Sequence, residues 1–171
     1  GGHQWPRLWA ALEADPIKRV APLLRVAKIC EEGFKNPRHA LDALRQAVEV
    51  DPLYLPAIGE LAKFFDRQSD VQSMRVHLDR SAARVRAQLA KDPYDVASYH
   101  ALFNIFLWRR SPDRAALAAA LLDYLGAATA EAKPLAARAT APQGYTGADL
   151  GGPAVDDRLF ALRFSVRLPN F

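Results

Sequence analysis

Apolar positions recur at helical spacing along most of the chain, and Asn-Pro and Asp-Pro pairs punctuate them. Residues 5–15 form a short apolar segment closed by Asp15-Pro16, and Pro16 and Pro22 confine a helix break to this junction. From Pro22 to Gly33 the spacing of Leu23, Val26, Ala27 and Cys30 predicts a helix with that stripe buried and Gly33 at its C-terminal cap. Asn36-Pro37 supplies an N-cap and a first-turn proline for the next helix. Its apolar stripe is Ala40, Leu41, Leu44, Ala47 and Val48, and Asp51-Pro52 stops it.

Residues 54–66 predict a further helix, with Ile58, Leu61, Ala62 and Phe65 on one face. Ser69-Asp70 caps a long amphipathic helix over 71–91. Val71, Met74, Leu78, Ala82, Val85 and Leu89 share one side of it, and Arg80, Arg84 and Lys91 the other. Asp92-Pro93 ends that helix. Residues 95–109 and 113–125 form another hairpin around Arg110-Ser111-Pro112-Asp113. Tyr99, Phe103, Ile105, Phe106, Leu107 and Trp108 make the helix over 95–109 apolar nearly all round. It is expected to be covered on several sides, with the C-terminal tail as one cover.

Composition changes after Gly126. Residues 127–141 are alanine-rich and interrupted by Pro134, and 142–153 carry four glycines and two prolines, which is linker chemistry. In the last stretch Leu162, Phe164, Val166 and Leu168 alternate with Arg163, Ser165 and Arg167, the period of a strand. Asp156-Asp157 ahead of Leu159 and Phe160 equally suits a helix start. The period-two match favours an extended arm. A lone strand leaves its backbone groups unsatisfied, so the arm is expected to order against another surface, a partner chain before the helices.

The Asp-Pro pairs at 15, 51 and 92 lie 36 and 41 residues apart, a range typical of helical-repeat arrays. Ala40, Leu44, Ala47 and Pro52 resemble the second helix and closing proline of a tetratricopeptide repeat. Ile58, Leu61, Ala62 and Phe65 resemble the first helix of the next repeat, and Tyr99, Leu102, Phe103 and Phe106 repeat the intervals. Ala115, Ala119 and Leu122 give a weak copy of the second helix. The resemblance covers about residues 20–126. It departs from the family in the 41-residue second unit, against about 34 for the repeat, in Phe103 where a small residue is the rule, and in Ala127 where the closing proline would stand. It implies an all-α fold: a short α-solenoid of antiparallel helical hairpins with an irregular C-terminal arm. The expected organisation is a lead-in over 1–21, the repeat domain over 22–126, a linker over 127–155 and a docking arm over 156–171.

Composition narrows the function. The longest apolar run, Ala115 to Leu122, is far below the roughly 20 residues that span a bilayer. A single cysteine, Cys30, excludes an internal disulfide and a cysteine-built zinc site. Net charge is +4, which permits an acidic partner without requiring nucleic acid. The chain begins Gly1-Gly2-His3, which reads as a processed or truncated product, and the compartment, cytoplasm or periplasm, stays open.

No catalytic constellation emerges, and no cofactor or metal is expected. His3, His39, His77 and His100 lack partners at metal-binding spacing, and His77 reads as a surface residue. Gly144, Gly147, Gly151 and Gly152 follow no strand and adjoin no lysine, so they read as a loop, not as a phosphate cradle. Asp156 and Asp157 are adjacent and cannot face each other as an acid–base pair. The basic residues of 75–91 have no interleaved aromatics and read as a solvated face.

The expected function is therefore non-enzymatic: an interaction or scaffold module within a larger bacterial assembly, the Ala/Arg-rich composition suggesting a bacterial source. The alternative is an accessory structural subunit of an enzyme or secretion complex whose C-terminal strand completes a partner's sheet. Partners are other protein chains, in a hetero- or homo-oligomer, with no nucleic acid. By the resemblance, Arg25, Lys63, Arg67, His100 and Asn104 line the concave face, a partly basic surface for an acidic or C-terminal peptide. Trp108 and the arm residues Leu162, Phe164, Val166 and Leu168 complete the expected partner-binding set.

Overall fold

Proline stands at the start of four of the seven α-helices among the described residues. In the computed structural model, which describes residues 16–139, Pro16 is the first residue of α1 (Pro16–Lys28). Pro37 and Pro112 begin α2 (Pro37–Val50) and α6 (Pro112–Tyr124), and Pro56 sits in the first turn of α3 (Leu55–Arg67). A first-turn N–H has no intrahelical acceptor, so proline loses nothing there. Between these lie α4 (Val71–Lys91) and α5 (Val96–Trp108), and α7 (Ala132–Arg138) comes last. A π-helical turn, Ile29–Gly33, extends α1. No strand occurs among the described residues, and no helix among them is long and apolar enough to cross a membrane. The lead-in over 1–15, the glycine-rich stretch 142–153 and the arm residues Leu162, Phe164, Val166 and Leu168 lie outside the described residues.

The chain divides into two compact units between Asp70 and Val71. In the first unit α1 packs on α2, α2 on α3, and α1 also reaches α3. Asn36 caps α2, its Oδ1 accepting the His39 N–H. Ala40, Leu44, Ala47 and Val48 of the expected α2 stripe are buried and Leu41, at its edge, is half-buried; Ile58, Leu61, Ala62 and Phe65 of α3 are buried.

The expectation for α1 needs correction. The helix starts at Pro16, six residues before Pro22, and carries Pro22 inside it. Its buried positions are Val20 and Ala27, two turns apart, while Leu23 and Cys30 are half-buried and Val26 is 47% exposed. Starting the count at Pro22 hides Val20 and tilts the stripe. Gly33 is not the left-handed cap either. The π turn absorbs it, and Lys35 takes the left-handed conformation at φ 52°.

In the second unit α4 packs on α5, α5 on α6, and α6 on α7. Met74, Leu78, Ala82, Val85 and Leu89 form the buried stripe of α4. Phe103 is fully buried. On α6 the buried Ala115, Ala118, Ala119 and Ala120 are small enough to allow close helix approach. His77 is half-buried, not a flanking surface residue: its Nδ1 lies 2.9 Å from the Ser73 carbonyl oxygen one turn back, the geometry of an N–H donor. Part of the stretch read as linker is α7, held on α6 by buried Ala132 and Ala136.

The Asp-Pro junctions at 51 and 92 share one hydrogen-bond pattern. Asp51 Oδ1 accepts the Leu53 N–H at 2.9 Å, and forty-one residues on Asp92 Oδ1 accepts the Tyr94 N–H at 3.1 Å. The Tyr54 and Asp95 N–H groups then donate to the Asp51 and Asp92 carbonyls. The helices after these junctions, α3 and α5, end alike. Asp70 N–H donates to Phe65 O and Ser111 N–H to Phe106 O, each across a left-handed residue, Ser69 or Arg110. Gly126 closes α6 the same way.

Candidate charged depression on the first unit

The C-terminal end of α1, the π turn, Leu44 of α2 and one face of α3 surround a depression of about 510 Å³. Three of the expected groove residues, Arg25, Lys63 and Arg67, line it. They come together because Arg25 is in the last turn of α1, while Lys63 and Arg67 are four apart and so share a face of α3. Lys28, Glu31, Glu32 and Glu60 complete the charged wall, and Leu24, Ala27 and Leu44 supply apolar lining.

The lining is more balanced than the sequence suggests. Arg67 is clamped to Glu31: Nε donates to Oε1, and Nη2 donates to Oε2 at 3.1 Å. That hydrogen bonding raises the Arg67 guanidinium above its ordinary pKa, against the opposing effect of burial. Lys63 Nζ lies 3.5 Å from Glu60 Oε1, with both side chains well exposed. Such a pair is worth roughly a few tenths of a kcal/mol and exchanges partners readily. Arg25 and Lys28 make no hydrogen bond or ion pair among the described residues. The depression thus offers three exchangeable cations beside one committed arginine.

The carboxylates are what the sequence reading missed. Glu31-Glu32 comes after a helix ending in Arg25 and Lys28, and Glu60 stands three before Lys63. Both spacings place acid beside base.

The remaining expected residues, His100, Asn104 and Trp108, stand on α5 in the second unit and are half-buried. Asn104 Nδ2 donates to the His100 carbonyl at 3.0 Å, so one of its donors is used within its own helix. At the end of α5 Arg109 clamps Asp79 of α4 with Nε and Nη2, and donates from Nη1 to Ser111 Oγ at 2.9 Å. Arg86 of α4 is lowered from its ordinary pKa, first by burial and then by the Arg114 charge. Among the described residues no group of three or more His, Cys, Asp or Glu side chains is placed to hold a metal ion.

No protein-family model, no curated protein and no solved structure matches the chain.

Proposed function

We propose that the chain is a non-enzymatic protein-interaction module of tetratricopeptide-like build, working inside a larger assembly. In this reading the helices within each unit pair as antiparallel hairpins of a short α-solenoid. The shared hydrogen-bond pattern at Asp51 and Asp92, forty-one residues apart, supports the repeat reading.

The observation that carries the reading is the depression on the first unit. It combines an apolar lining, Leu24, Ala27 and Leu44, with exchangeable cations at Arg25, Lys28 and Lys63. A peptide carboxylate, from an acidic side chain or a C-terminus, would exchange with Glu60 for Lys63 and reach Arg25 and Lys28. Its neighbouring apolar side chain would rest on Leu24.

Photo-cross-linking tests this. A photoreactive residue placed at position 63 should yield adducts with partner proteins in cells. The same residue at position 42, on α2 and outside the depression, should not. Adducts from position 42 with none from position 63 would contradict the proposal.

A further inference from the structure

One strongly basic stretch of this chain runs along α1 and the π turn into the start of α2. Residues 18–38 hold six basic side chains, Lys18, Arg19, Arg25, Lys28, Lys35 and Arg38, against Glu31 and Glu32. The balance of that stretch is +4, the same as that of 75–91 on α4. Glu31 is already committed to Arg67. Arg25, Lys28, Lys35 and Arg38 are exposed and make no hydrogen bond or ion pair among the described residues.

The same stretch presents apolar side chains to solvent. Val26, Ile29 (55% exposed) and Phe34 (75% exposed) are the large exposed hydrophobic residues of the first unit among the described residues. None of them lines the depression. The π turn explains Phe34. In an unbroken α-helix Phe34, seven residues after Ala27, would continue the buried stripe. The π turn, closed by the Phe34 N–H on the Ile29 carbonyl at 3.1 Å, takes one extra residue and rotates the next part of the chain out of that register. The phenyl ring is thereby turned outward, beside Lys35.

We propose that this edge of α1 and the π turn docks an acidic amphipathic segment of a partner protein. The partner's apolar side chains meet Val26, Ile29 and Phe34, and its carboxylates meet Arg25, Lys28, Lys35 and Arg38. This rests on the interaction-module reading and adds an adjoining surface, which shares Arg25 and Lys28 with the depression and has a partner of stated charge. An anionic bilayer fits less well: Glu32, exposed on the same π turn, stands within the strip and opposes lipid phosphates.

The test uses the full chain and a fluorescent helical peptide with leucines at i, i+3, i+4 and i+7 flanked by glutamates. A scrambled peptide of the same composition and phosphatidylserine-containing vesicles are measured alongside. The amphipathic peptide should bind in preference to the scrambled one and to vesicles. Ile29→Glu with Phe34→Glu, and separately Lys35→Glu with Arg38→Glu, should each weaken binding by about tenfold or more, the scale of losing interface anchors. Melting temperatures should stay near wild type, because all four side chains are exposed. No preference for the amphipathic peptide, or binding of vesicles alone, would overturn the inference. Peptide binding that survives both pairs but is lost in Lys63→Glu with Arg67→Glu would also overturn it, while leaving the depression as the binding site.

Discussion

Arg67 holds Glu31 through two parallel hydrogen bonds across thirty-six residues, tying the end of α3 to the π turn and withholding one arginine from the depression. Glu31→Gln should therefore move two properties in opposite directions. Stability should fall by about 1 kcal/mol or less, since the Arg67 side chain is half exposed and the pair is screened by solvent. Affinity for a carboxylate peptide should rise, because Arg67 is released into the depression. Thermal melts and peptide titrations of the same variant check both signs, and a loss of affinity would count against Arg67 as a withheld ligand.

The core prediction is larger. Leu44, Phe65, Leu78 and Phe106 are all buried, as their helical spacing predicts. Leu44→Ala or Leu78→Ala should each cost about 2–5 kcal/mol, the transfer loss plus the cavity left behind. Urea denaturation measures this, and a cost near zero for both would be incompatible with the helical packing described.

Three helix ends isolate a backbone effect. Ser69, Arg110 and Gly126 are left-handed, at φ 55°, 60° and 72°. A Cβ built on Gly126 meets nothing within 4 Å, so Gly126→Ala should cost about 1 kcal/mol from backbone strain alone. Ser69→Gly and Arg110→Gly should relieve the same strain and raise the melting temperature slightly, offset by glycine's extra unfolded-state entropy. Unchanged melting in Gly126→Ala would show that the strain is not felt.

Much of the helical frame was legible because stop signals and periodicity agree. Asp51-Pro52 and Asp92-Pro93 end helices for a local reason, the aspartate side chain capping the turn that proline forces. The α4 boundaries, Val71 and Lys91, match the stripe read from Val71, Met74, Leu78, Ala82, Val85 and Leu89. Near Pro22 the same logic failed. Proline there is tolerated inside α1, and the π turn shifts register in a way no periodicity announces. Alanine-rich 132–138 read as linker because its helical signal is two buried alanines, Ala132 and Ala136, too weak a stripe to stand out. For the candidate site, Arg25, Lys63 and Arg67 were named from the sequence, and all three line one depression. Their pairing was not legible, because Glu31 and Arg67 meet only after α1 and α3 pack.

The most direct test of the interaction-module reading is a calorimetric titration of the full chain with a short peptide ending in aspartate or glutamate after an aliphatic residue. The wild type should bind with an affinity that falls as salt is raised, since the contacts are exposed ion pairs. Arg25→Glu with Lys63→Glu should abolish the heat of binding while leaving the melting temperature within a few degrees, because neither side chain is buried. Binding that is indifferent to both salt and this double reversal would contradict the depression as the binding site.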